Sequence, residues 1–128
     1  MSIMIAVSCG ELIDKITILE IKVARVSDVA KLDNIRHELQ LLHAVSTERI
    51  PKTEAIKALI EQLRATNEHL WEVEDRLREK ERDKVFDAEF IELARSVYKT
   101  NDRRAEIKRE LNEMLGSHIR EEKSYREY

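Results

Sequence analysis

The chain has 128 residues, enough for one domain with a real core, and its 23 basic and 26 acidic side chains give a net charge of −3. That balance lacks the basic excess of a nucleic-acid binder. Ala, Glu, Lys, Leu and Arg supply 65 of the 128 residues, while two Gly and one Pro leave few turns, which excludes a sheet-rich fold and points to long helices.

The N-terminal stretch Met1 to Val7 is apolar, with a hint of strand alternation over Ile3 to Val7. It has no basic start and is too short for a signal peptide. No run approaches the roughly 20 apolar residues of a membrane span. The single Cys9 excludes an internal disulfide and suits a reducing compartment. The expectation is a soluble, cytoplasmic protein without a membrane or nucleic-acid partner.

Ser8 and Glu11 form a capping box that opens the first helix. Its stripe is Leu12, Ile16, Leu19, Val23 and Val26, and Ile18 and Ile21 fall on roughly the opposite side. A helix apolar on two sides is either central in a bundle or shared with a second chain, so a homodimer is one expectation. Ser27 and Asp28 are capping residues that mark a turn or a sharp kink. The second helix carries Leu32, Ile35, Leu39 and Leu42 and ends before Pro51, with Ser46 to Lys52 read as a loop. Thr53 and Glu54 open a third helix, striped by Leu59, Leu63, Thr66, Leu70, Val73 and Leu77, that runs to about Arg82.

Asp87 is placed to cap the fourth helix, with Phe86 and Ile91 as a hydrophobic staple. That helix runs to Leu115, where Gly116 suits a left-handed C-terminal cap. Ser117 could start one more turn through Glu121 or Glu122. The tail from Lys123 is expected to be loose unless its tyrosines dock, and Tyr125 is expected to pack as the tail folds back over one end. The architecture read from these elements is all-α, an antiparallel bundle of three to four helices in a single domain.

One face of the fourth helix reads Phe90, Ala94, Val97, Asn101, Arg104, Lys108, Leu111, Leu115. An amide and two cations interrupt an apolar stripe, and buried charge needs a partner or a ligand. The third helix offers Asn67, Trp71, Glu74 and Arg78 along one edge, making Glu74 a candidate partner for Arg104 or Lys108. The first helix adds Lys15 and Lys22 on one side of its stripe, Glu20 on the other, and Glu11 and Asp14 at its start. Two readings follow. The groups form an ion-pair layer that sets helix register, or Lys15, Lys22, Trp71, Glu74, Arg78, Asn101, Arg104 and Lys108 line a pocket for a small anion. Trp71 is either core or a pocket wall.

Other chemistry finds no footing. His37, His43, His69 and His118 contain no helical metal pair, Cys9 has no second thiol, and no di-iron signature occurs, so no metal site is expected. No nucleophile elbow or phosphate-binding glycine loop is present, and no cofactor is implied.

The segments Gly10 to Lys22, Leu70 to Asp75, Asn101 to Lys108 and Glu121 to Tyr125 resemble a family of small bacterial helical proteins known only as a domain of unknown function. The resemblance spans nearly the whole chain and implies no activity. The first helix, with Ile13, Asp14 and Arg25, also resembles the first helix of the all-helical chorismate mutases. Those are helical dimers whose Arg and Lys side chains hold a dicarboxylate. Here the family's first pocket arginine would fall near Ser8 and is absent, and its later Arg-Glu pair is missing. Three functional readings stand: a binding protein holding a small anion near Arg104 and Lys108, a mutase-like enzyme, and a protein-interaction module using the Ile18/Ile21 face.

Overall fold

Each helix begins where a short polar side chain can satisfy a free first-turn amide. In the computed structural model, which describes residues 1–124 and 126–128, Ser8 Oγ accepts from Glu11 N at 3.0 Å and opens α1 (Cys9–Arg25). Asp28 accepts from Lys31 N at 2.9 Å and opens α2 (Val29–Arg49). Thr53 accepts from Ile56 N at 3.3 Å and opens α3 (Glu54–Asp83), and Asp87 accepts from Phe90 N at 3.0 Å and opens α4 (Ala88–Met114). The all-α expectation holds. Gly116, at φ +61°, takes the left-handed conformation expected past the end of α4.

The helices alternate in direction. α1 alone packs against all three others, while α3 and α4 form a long antiparallel pair. The core joins Leu12, Ile13 and Ile16 of α1 to Ile56, Leu59 and Leu63 of α3 and Ile107 and Leu111 of α4, with Ile50 closing one side. Each such side chain contributes about 1.5–3 kcal/mol by leaving water. α2 half-buries Leu32, Ile35, Leu39 and Leu42, the stripe expected of it, and leaves Leu41 and Val45 exposed.

Several expectations are corrected. Ile21 is only 4% exposed and Ile18 is half-buried, because α1 is the central helix. The second apolar side of α1 is therefore largely used within the chain, although Ile18 stays partly exposed and both residues line the open depression described below. Residues 46–49 belong to α2 rather than to a loop. Ser46 is buried, accepts from Ile50 N at 2.9 Å through its carbonyl, and takes a hydrogen bond from Lys52 at 3.2 Å through its hydroxyl. The expected staple residues Phe86 and Ile91 are both exposed, and Phe86 meets Phe90 edge-to-face at 5.2 Å. Among the described residues no further helical turn follows Ser117. The expected packing of Tyr125 lies outside the described residues, although Tyr128 does return to α4, its ring 5.0 Å from that of Tyr98.

The α3–α4 turn is held electrostatically. α3 ends on Lys84 at φ 57°, a conformation that costs a non-glycine residue energy. The buried Lys80 side chain contacts both carboxylate oxygens of Asp87 at 3.0 Å and Glu89 at 3.4 Å. The Phe90 amide, then Lys80, hold the Asp87 carboxyl below its ordinary 3.8. Because the folded value is the lower one, this contribution is complete above the ordinary aspartate range and fades as pH falls through the folded value. Asp87→Ala should therefore lower the thermal midpoint at neutral pH, and the gap to wild type should close in acid. A gap independent of pH, in melts followed by circular dichroism, would count against this cap.

Candidate functional site

The polar interruption of α4 meets its counterpart on α1, which runs antiparallel to it. Asp14 is 1% exposed and is the hub. Its Oδ1 accepts from Arg104 Nε at 2.9 Å and from Asn67 Nδ2 at 2.9 Å, and its Oδ2 accepts from Arg104 Nη2. Asn67 also donates to the Thr17 hydroxyl at 2.9 Å, and Thr17 in turn donates to the Asp14 carbonyl at 2.8 Å. Lys108 lies 2.7 Å from Glu11, 3.9 Å from Asp14 and 4.0 Å from Glu121. The tail carboxylate of Glu121 also accepts from the buried Ser8 hydroxyl at 2.5 Å.

Three acids thus surround two cations. Among the described residues no buried side-chain polar atom is left without a partner. The hydrogen bonds to Asp14 raise the Arg104 pKa, against the opposing effect of burial. This is the ion-pair layer of the first reading, and its acids are Asp14, Glu11 and Glu121. Glu74 is not among them: it pairs with Arg78 at 3.5 Å, one turn along α3. The correction has a simple cause. Asp14 lies on the side of α1 pressed against α4, so it reaches Arg104 first.

One turn earlier the two helices nearly touch. Gly10 N donates to the Asn112 side chain at 2.6 Å, and Cys9 N donates to the Ser117 hydroxyl at 3.2 Å, so the end of α4 caps the start of α1. A Cβ on Gly10 would sit 2.7 Å from the Lys108 carbonyl oxygen. Only glycine permits this approach.

The predicted site residues divide. Trp71, Glu74, Arg78, Asn101 and Arg104 come together around an open depression of about 500 Å³, with Ile18, Ile21, Asn67, Leu70 and Asp75 completing its lining. Lys108 belongs to the layer beneath and does not line this depression. Lys15 and Lys22 are not part of it either. Lys15 faces α2, 4.0 Å from Glu38, and Lys22 is half-buried elsewhere. Arg25, the arginine of the mutase resemblance, pairs with Glu72 at 3.2 Å outside the depression. Among the described residues no group of three or more His, Cys, Asp or Glu side chains could hold a metal ion.

Sequence reasoning missed Asn112, Thr17 and the buried Ile107. A signal for Asn112 existed: steps of four from Arg104 give Lys108 and then Asn112, a continuous polar row. Following the apolar stripe instead led to Leu111.

Two outcomes are expected from unfolding in denaturant. Arg104→Met should cost about 3–5 kcal/mol because it strands the Asp14 charge, and adding Asp14→Leu should recover much of the loss. If the single change cost less than about 1 kcal/mol, that would be a surface-pair value and would refute the buried layer. Gly10→Ala should cost about 1–3 kcal/mol by forcing α1 and α4 apart. An unchanged midpoint would show that the helices separate freely.

A profile described as Family of unknown function (DUF6165) matches residues 3–128, so the chain belongs to that family. No curated protein and no solved structure matches the chain. Among the described residues no helix is long and apolar enough to cross a membrane.

Proposed function

We propose that this member of the DUF6165 family acts by binding, without catalysis, and that its binding surface is the depression between α1, α3 and α4. The observation that supports this most is the double position of Arg104. Its Nε and Nη2 are committed to Asp14, while its Nη1 has no hydrogen-bond partner among the described residues and the side chain lines the depression. The buried carboxylate thus fixes a guanidinium whose remaining donors stay available.

The ligand that fits is a small anion with an apolar body. Ile18, Leu70 and Trp71 offer the apolar contact, and Trp71 adds a ring face. Arg78, Asn101 and the free edge of Arg104 offer donors. Glu74 and Asp75 share the rim, and Asp14 already neutralises Arg104. A single carboxylate or phosphate group therefore suits the rim better than a dicarboxylate, which weighs against mutase-like chemistry. The reading includes a cytoplasmic location and a homodimer, and it calls for no cofactor, metal, nucleic acid or membrane.

Thermal unfolding against a panel of carboxylates, phosphate esters and nucleotide sugars tests this. A ligand at 100 times its Kd should stabilise the fold by about 2.7 kcal/mol, a shift on the order of 10 °C. Arg78→Ala, at an exposed position, should abolish the shift while leaving the unliganded midpoint nearly unchanged. If no ligand shifted the wild type, or if the shift survived both Arg78→Ala and Trp71→Ala, the depression would not be the binding surface.

A further inference from the structure

The 30 residues of α3 and 27 of α4 outlast the 17 of α1. The depression lies beside the last turns of α1, lined by Ile18 and Ile21, where the α3–α4 pair begins to run on past the end of α1 at Arg25. It has an apolar floor and no outer wall. Elsewhere the same chain has the opposite deficit. Residues 1–7 form an arm outside any helix with no charged side chain, and Ile3, Met4 and Ile5 are 77%, 92% and 76% exposed. No backbone hydrogen bond ties the arm to the rest of the described chain. The family profile begins at residue 3, so most of the arm is part of the family's domain.

We infer that the protein is a two-fold dimer in which the arm of each copy lies across the depression of the other and supplies its missing wall. The inference rests on the depression being the binding surface. Geometry favours exchange between copies. The arm leaves from Ser8 at the start of α1, and the depression opens beside the other end of that helix. When the α1 helices of two copies run antiparallel about a two-fold axis, each Ser8 comes beside the partner's Ile21 end. Each arm then continues its own α1 axis over the uncovered α3–α4 pair of the other copy.

The dimensions agree. From Ser8 back to Ile3 an extended chain covers about 17 Å, comparable to the roughly 16 Å that the lining spans along α3 from Asn67 to Arg78. The seven arm residues and the ten that line the depression give 17 residues a copy, near the roughly 20–30 a side of a stable interface. The chemistry agrees as well. The uncharged arm meets the apolar floor, while Glu74, Asp75 and Arg78 stay on the rim.

The test is sedimentation velocity of the full chain across a wide concentration range, read beside the fluorescence of Trp71, the only tryptophan. The comparison is the variant Ile3→Asp/Ile5→Asp. Wild type should be a dimer with blue-shifted emission. The variant should raise the dissociation constant by at least about a hundredfold, since two carboxylates would have to be buried. Its emission should shift to the red as it becomes a monomer, and cooperative unfolding should be retained because the arm makes no core contact. Three results would overturn the inference. They are a wild type that is monomeric throughout, a dimer indifferent to the variant, and an emission change without a change in mass, which would place the arm on its own chain.

Failure of the ligand reading looks different. In that case the dimer and its Trp71 response remain, but no ligand protects the wild type. Conversely, an Arg78-dependent ligand shift in a strictly monomeric chain preserves the depression as a site and removes the arm.

Discussion

Asp14 is a carboxylate placed in the interior of a bundle, and the arrangement of the other helices around α1 follows from the need to satisfy it. An unpaired carboxylate there would cost several kcal/mol, so the fold is stable only where donors converge on that point. Arg104, Asn67 and, at longer range, Lys108 do so from two different helices. A slip of α1 by one residue would turn Asp14 by about 100° and strand both it and Arg104. Apolar residues alone tolerate such slips far better, because one aliphatic side chain can replace another at modest cost. The polar layer therefore selects one register. The Leu63, Ile107 and Leu111 core around it supplies the stabilisation.

The same constraint draws α1 and α4 together at Gly10. The hydrogen bond from Gly10 to Asn112 and the bond from Cys9 to Ser117 replace water at the first turn of α1. The tail joins in through Glu121, which reaches both Ser8 and Lys108. The start of α1, the end of α4 and the tail are thus one cooperative polar unit. The other end of α1 is held by the burial of Leu19 and Ile21, and its ion pair of Arg25 with Glu72 is a surface one, worth only tenths of a kcal/mol. The depression lies towards this second, less constrained end.

Local signals in the sequence were readable because their physics is local. The Ser8, Thr53 and Asp87 caps, the Gly116 terminus and the α2 stripe each depend on residues within one or two turns, and each is found where expected. Pairing between helices is not local. Periodicity places Glu74 and Arg104 each on an inward face, but the relative height of α1, α3 and α4 decides that Asp14 takes Arg104. That height is set by the close approach at Gly10, and a lone glycine near a helix start gives no warning of it. For the same reason the eight candidate residues separated. Trp71, Glu74, Arg78, Asn101 and Arg104 sit at similar heights on α3 and α4 and converge. Lys15 shares a helix with the layer but faces α2. Ile18 and Ile21 form the second apolar side expected of α1; the burial of Ile21 reflects the central position of that helix, while Ile18 stays partly exposed at the depression.

A ligand at the depression would feel the layer through Arg104. The guanidinium cannot move towards an incoming anion without loosening its grip on Asp14, so its outer edge is held in place before any ligand arrives. Such preorganisation reduces the entropy lost on binding. It also limits the charge the site can accept, because Asp14 has already drawn most of the positive potential inward. Glu74 and Asp75 lower it further at the rim. Affinity must then come mainly from the apolar floor of Ile18, Leu70 and Trp71, with the polar groups fixing orientation. A floor of that kind is effective only when it is shielded from water. The chain leaves it open on one side and carries, at the far end of α1, an arm without charged side chains that has nothing of its own to cover.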